Sequence, residues 1–376
     1  MIYLDNSATS FPKPEQVYKT YKKAIKYYFS NPGRGGYDNS VITAEKIYEV
    51  RLLIAGLFGC EDERNVVFTP NCTTSVNTVI KGILRDDDHV IISDLEHNCV
   101  SRPIYKLFTE GRIKYDKFET DFYNDENTLE NLKRLIKPET KMVICTHASN
   151  VLGYCLPIKE IGKVCKENNI VFVVDAAQSA GIIDIDIKRD NIDFLCCAPH
   201  KGLFAPMGTG ILICSNKPPK SLIEGGTGSA SASLIQPESL PDKLEAGTLN
   251  VPGIIALGSG IDFINRVGVQ NIHLKECSQI IKIFESLKNQ IITYCDYTKI
   301  RLFSPVISFN IPNKDCEEVA DFLNEKGICV RAGLHCSALA HKKIGTLDRG
   351  TVRISPSYFT NDNEINYVIS TIKNII

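Results

Sequence analysis

Short runs rich in β-branched residues alternate with helix-like stretches from about residue 60 to residue 215, and nothing else in the chain limits its fold as strongly. Residues 66–69, 89–93, 141–145, 170–174 and 210–214 read as strands, and so does the apolar run from Phe194 to Cys197. Residues 129–136 and 158–166 carry the apolar spacing of amphipathic helices, and 76–84 forms a further helical stretch. Strands that alternate with helices imply a mostly parallel sheet covered on both faces. Such sheets bind ligands beyond the carboxyl ends of their strands. The position after Val174 and the turn after Phe68 both fall at such ends.

The remainder has a different texture. Residues 225–233, Gly-Gly-Thr-Gly-Ser-Ala-Ser-Ala-Ser, read as a flexible loop able to close over a site or to reach a second subunit. A long helix is expected from Val251, followed by strands at 308–311, 328–331 and 351–354 of a smaller α+β unit. At 376 residues the chain exceeds one small core, so a large and a small domain are expected. A net charge of −1 gives no reason to expect nucleic acid or an anionic membrane surface as a partner. No run approaches the ~18 apolar residues of a membrane helix, and residues 1–5 lack a charged leader, so a cytoplasmic protein is expected. The 14 cysteines follow no metal-ligand spacing. Cys145, Cys165, Cys214 and Cys329 lie in apolar runs, where they read as small buried hydrophobes in a reducing compartment.

Against this frame, Asp175 and Lys201 stand out. The first ends the run Val171-Phe172-Val173-Val174. The second follows Phe194-Leu195-Cys196-Cys197-Ala198-Pro199-His200, 26 residues further on (201 − 175). Pyridoxal 5'-phosphate (PLP) needs a lysine amine to join its aldehyde and a buried acid to keep its pyridine nitrogen protonated. Taken as two isolated residues, an acid capping a turn and a surface lysine fit equally well. Residues 69–75, Thr-Pro-Asn-Cys-Thr-Thr-Ser, follow a strand and open a helix. That is where a phosphate finds free N–H groups, although an ordinary helix cap fits those residues too.

An ordered series of motifs then accumulates: Tyr3-Leu4-Asp5-Asn6-Ser7-Ala8-Thr9, Glu96-His97-Asn98, Ser149-Asn150-Val151-Leu152-Gly153, Asp175-Ala176-Ala177-Gln178, His200-Lys201, Glu245-Ala246-Gly247-Thr248, Arg331-Ala332-Gly333-Leu334-His335-Cys336 and Arg353. Together they resemble the class V aminotransferases across the whole chain, and within them the cysteine desulfurases. The resemblance implies an α/β fold of the PLP-dependent transferase type I. Its large domain would hold a mostly parallel, seven-stranded sheet covered by helices, with a smaller α+β C-terminal domain. It implies an N-terminal segment over 1–20 packed on the active site or small domain, a cofactor domain over 21–250 and a small domain over 251–376, assembled as a homodimer with sites at the interface. Residue by residue, Lys201 would carry the cofactor and Asp175 would face the ring nitrogen. Cys72, Thr73 and His200 would bind the phosphate, and Thr248 that of the neighbouring subunit. His97 would stack on the ring and move protons. Asn150 and Gln178 would contact the phenolic oxygen and the substrate carboxylate. Ala198 stands where many members have a serine, so one hydroxyl contact is missing.

Arg353 resembles the arginine that grips the substrate α-carboxylate, a task suited to the planar guanidinium fork. Cys336 separates the reaction classes. Arg331, His335, His341, Lys342 and Lys343 surround it in sequence, and nearby cations favour the reactive thiolate. In the cysteine desulfurases the corresponding thiol takes the sulfur of L-cysteine as a persulfide, releases L-alanine, and passes the sulfur to an acceptor protein or thiol. The gap of 17 residues to Arg353 (353 − 336) is similar to the short-loop, group II subgroup. The sequence Ser337-Ala338-Leu339-Ala340-His341 departs from that subgroup's best-known pattern. A selenocysteine lyase, or another lyase or transaminase of the same family, is the alternative.

Overall fold

The computed structural model describes residues 1–32, 35–215 and 217–375. Its central feature is a seven-stranded sheet. In spatial order the strands are Val66–Thr69, Gly210–Cys214, Phe194–Cys197, Val171–Asp175, Thr140–Thr146, His89–Ser93 and Lys114–Phe118. From Phe194–Cys197 onward every pair is parallel. Gly210–Cys214 runs antiparallel to both of its neighbours, so Val66–Thr69 again points the same way as the other five. Six carboxyl ends therefore open on one edge of the sheet.

The inner strands are apolar on both faces, and Val66, Val67, Ile91, Val143, Ile144, Val173, Leu195 and Leu212 are fully buried. Each such side chain contributes about 1.5–3 kcal/mol through removal from water. Lys114–Phe118 was not anticipated from the sequence. It is an edge strand, and its exposed or half-exposed Lys-Tyr-Asp-Lys positions carry no apolar run to read. The expected helix over 129–136 lies at Asp125–Lys133 instead. The Asn124 side chain accepts from the N–H groups of Glu126 and Asn127 and so starts the helix earlier.

The helix expected from Val251 is two helices, Val251–Val267 and Val269–Leu287, broken at Gly268 with φ +88°. The strand expected at 328–331 also divides. Ile328–Cys329 pairs in parallel with Ile2–Tyr3, whereas Arg331–Gly333 joins an antiparallel sheet with Thr351–Ile354, Ile307–Asn310 and Ile292–Thr293. Cys329 is half-buried, not buried as its apolar run suggested, while Cys145, Cys165 and Cys214 are buried, and all 14 cysteines are free. No helix among the described residues is long and apolar enough to cross a membrane.

Candidate active site

The carboxyl edge of the large sheet gathers Cys72, His97, Asn150, Asp175, Gln178 and Lys201, each at or after the end of one of its strands, whereas Cys336 and Arg353 come from the smaller antiparallel sheet. Asp175 closes its strand and is only 2% exposed. Its Oδ1 accepts from the Ala177 N–H at 2.9 Å and from the Cys72 thiol at 3.5 Å, and its Oδ2 from the Cys99 thiol at 3.2 Å. Burial, and next the Asp175 charge, push both thiols well above their usual pKa, so they stay protonated and act as donors. Cys99 had not been singled out in the sequence; one buried thiol among fourteen carries no local signal.

Lys201 follows the strand Phe194–Cys197. The turn is tight: a Cβ on Gly202 would lie 2.4 Å from the Ala180 carbonyl oxygen, so the segment after Asp175 presses on the segment of Lys201. Burial lowers the Lys201 pKa and the Asp175 carboxylate opposes that shift. The N-terminal segment closes over this point. The His200 carbonyl accepts from the Ser10 N–H at 3.0 Å, the Thr9 hydroxyl at 3.1 Å and Lys13 Nζ at 3.3 Å. The His200 pKa falls to about 4, first through burial and then through Lys201 and Lys13, and its buried Nδ1 has no partner. The Gln178 side chain donates to the Ser7 carbonyl at 3.1 Å, and Gln178 and Lys201 line one small cavity.

Asn71 caps the helix Cys72–Ile83, its side chain accepting from the Thr74 N–H at 2.9 Å. The first-turn N–H groups of Cys72 and Thr73 have no intrahelical acceptor and point beyond the strand end. Together with the His200 ring nitrogen they could hold a phosphate. The buried acid Asp175 matches a protonated ring nitrogen, and the desolvated Lys201 amine matches an aldehyde. The donor set therefore fits PLP. Thr248 is exposed and shares a second cavity with Thr69, Thr74 and Thr78. Glu245 beside it is buried. It is ion-paired to Arg51 at 2.5 Å and accepts from the Phe68 N–H at 2.6 Å, which ties this loop to the strand Val66–Thr69 that precedes the Asn71 cap.

His97 caps the helix Asn98–Thr109 by accepting from the Cys99 N–H at Nδ1, 3.0 Å away. Burial lowers its pKa, and because Nδ1 accepts from a backbone N–H, the neutral ring's proton belongs on Nε2. Preceding it, Glu96 is fully buried. Its Oε1 accepts from the Ser93 hydroxyl and the Thr146 N–H, its Oε2 has no partner, and burial raises its pKa to about 8.

Arg353 lies on a strand buried on both faces, which the sequence alternation left open, and is 1% exposed. Its Nη2 donates to Asp5 at 2.6 Å and its Nη1 to the Asn150 carbonyl at 3.1 Å, while Nε is buried without a partner. Arg331 sits directly opposite on the adjacent strand and reaches the Cys336 sulfur at 3.8 Å. Cys336 is the one cysteine that is exposed. Its carbonyl accepts from the Asn98 N–H at 2.8 Å, one residue from His97, and so the thiol loop is tied to the segment that carries His97. The Asn150 side chain is engaged by this same loop through His335 and Ser337.

Residues 2–368 match the profile of the family described as aminotransferase class-V. A probable cysteine desulfurase of Methanothermobacter thermautotrophicus is 34% identical, over 100% of this chain and 94% of that protein. One from Pyrococcus abyssi is 31% identical, again over 100% of this chain and 94% of its own length. The apo structure of the cysteine desulfurase from Thermococcus onnurineus NA1 superposes with a TM-score of 0.91 at 30% identity, over 100% of this chain and 94% of the other. With a family match that spans residues 2–368 and a full-length structural likeness at 30% identity, the chain belongs to the class-V aminotransferases, which are PLP-dependent enzymes of fold type I.

Proposed function

We propose that this protein is a PLP-dependent cysteine desulfurase that converts L-cysteine to L-alanine and keeps the sulfur on Cys336. The observation that carries the reading is an exposed thiol beside Arg331, on a loop joined through Asn98 to the segment that holds His97. Relatives that match over the whole of this chain bear the name probable cysteine desulfurase.

When bound, PLP would supply an electron sink for the substrate α-carbon. Asp175 would hold the proton on its ring nitrogen, and the Cys72 and Cys99 thiols and the Ala177 N–H hold Asp175. Lys201 would anchor the cofactor through its amine. Burial favours the neutral form of that amine, so once displaced it can take the α-proton. His97 offers the Nε2 proton. The Arg353 guanidinium, with its unpartnered Nε, grips the substrate carboxylate and orients the side-chain sulfur toward Cys336. The Cys336 thiolate attacks that sulfur; a sulfur–sulfur bond forms, the carbon–sulfur bond breaks, and its electron pair leaves with the carbon skeleton, which gains a proton and departs as alanine. The persulfide sulfur then passes to an acceptor protein or a small thiol.

The assembly proposed is a homodimer, supported by exposed apolar side chains such as Phe29 at 74%, Met207 at 68%, Leu234 at 105% and Ile235 at 77%. In it, Thr248 would reach the phosphate of the neighbouring subunit. The division into a segment over 1–20, a cofactor domain over 21–250 and a small domain over 251–376 is proposed with it, as is a cytoplasmic location.

The test is incubation of the PLP-loaded protein with L-cysteine and a reductant. Equal amounts of alanine and sulfide are expected. A keto acid with no sulfide would indicate a transaminase, and turnover confined to selenocysteine would indicate a lyase. Either result would overturn the reading.

A further inference from the structure

His335 and Cys336 both have left-handed backbones, with φ of +49° and +59°, although neither is glycine. Two consecutive residues of this kind are costly and persist only where neighbouring groups fix them. The fixing groups are specific. The Asn150 side-chain N–H donates to the His335 carbonyl at 2.6 Å, and the Ser337 hydroxyl donates to the Asn150 side-chain oxygen at 2.5 Å. The Asn98 N–H donates to the Cys336 carbonyl at 2.8 Å, and the His335 ring hydrogen-bonds the Thr351 hydroxyl at 3.0 Å. Ser337 has no exposed surface, so its hydroxyl has no water to turn to.

Asn150 is thus held between the residues before and after the thiol. Its carbonyl also carries Arg353 Nη1. One residue therefore joins the loop of the sulfur acceptor to the arginine proposed to bind substrate. We infer that Ser337 is a positioning residue: its hydrogen bond to Asn150 holds the strained His335–Cys336 turn so that the Cys336 sulfur faces the substrate sulfur. This rests on the desulfurase reading above, since it specifies how that reaction's thiol is aimed. Ser337 touches neither cofactor nor substrate in this account and acts only through Asn150 and the loop.

The experiment compares wild type, Ser337→Ala and Ser337→Thr, all loaded with PLP. Amide hydrogen exchange in the peptide spanning 331–343 reads the loop without any turnover. Losing one buried hydrogen bond should speed exchange in Ser337→Ala by about tenfold, with Thr restoring most of the protection. The rate at which Cys336 gains one sulfur from L-cysteine, followed by mass spectrometry, should fall by a similar factor in the Ala variant. Meanwhile the cysteine concentration that half-saturates the change in the cofactor's visible band should stay within about twofold of wild type. Wild-type exchange and wild-type sulfuration in Ser337→Ala would overturn the inference. So would parallel loss of cofactor, exchange protection and cysteine binding, because that pattern marks a fold-wide defect. If wild type itself gains no sulfur at Cys336, the desulfurase reading fails; accelerated exchange in the Ala variant would then still locate the turn's support at Ser337 but remove its role in aiming a nucleophile, and the inference falls too.

Discussion

Replacing Arg353 with lysine should weaken L-cysteine binding without releasing PLP. In the structure the guanidinium spends Nη2 on Asp5 and Nη1 on the Asn150 carbonyl, and it keeps a buried Nε with no partner. A carboxylate needs two parallel N–H groups; Nε and the second hydrogen on each Nη remain to supply such a pair while both anchors hold. A lysine ammonium is a single point with three rotatable donors. It can satisfy Asp5 or reach the substrate, and it cannot hold the Asn150 carbonyl at the same time. The loss is about one hydrogen bond to a charged group, ~2 kcal/mol, which corresponds to roughly thirtyfold in apparent affinity. The assay is a titration of the visible cofactor band with L-cysteine in a Cys336→Ala background, so that no sulfur transfer consumes the substrate. An unchanged midpoint in the Arg353→Lys protein would refute the reasoning, and so would loss of the cofactor band, since Arg353 is not assigned to cofactor binding.

Cys336→Ala alone should retain the cofactor and its spectral response to L-cysteine. It should lose at least about 100-fold in alanine formation and show no added sulfur by mass spectrometry; undiminished alanine formation would refute its role. Borohydride should bleach the visible band and fix the cofactor to the peptide containing Lys201, and labelling of any other lysine would reject that assignment. Glu276 lines the cavity behind Lys201, is 2% exposed, and has its pKa raised to about 8 by burial. A raised acid pKa means the fold favours the protonated form, so the stability it contributes is present below about pH 4.5 and fades as pH rises toward 8. From pH 5 to pH 8 this term amounts to about 3 kcal/mol. Glu276→Gln should therefore show a shallower fall in melting temperature than wild type across that range, as followed by circular dichroism, and identical slopes would refute it.

Much of this was readable from the chain because it is local. Apolar four- and five-residue runs alternating with helices make a covered parallel sheet, whereas Asp175 and Lys201 at the ends of two such runs gained meaning only from the ordered motifs around them. Cys336 stands in a cation-rich stretch, and its arginine partner Arg331 is only five residues away. Boundaries failed where side chains decided them: Asn124 pulled a helix start forward, Gly268 broke a helix, and the polar edge strand Lys114–Phe118 offered no apolar signal.

What the sequence could not contain was the set of contacts between residues far apart along it. Cys72 and Cys99 reach Asp175 across 103 and 76 positions, Asp5 reaches Arg353 across 348, and Ser337 reaches Asn150 across 187. Each joins groups whose identities are unremarkable by themselves, a thiol, an acid, a hydroxyl and an amide. Their meaning comes from burial, which removes water as a partner and leaves each donor one acceptor to find. The ordered motifs pointed to a family and, through it, to a reaction; only the packing of the large sheet's strand ends against the N-terminal segment and the smaller sheet decided which side chains hold those groups in place.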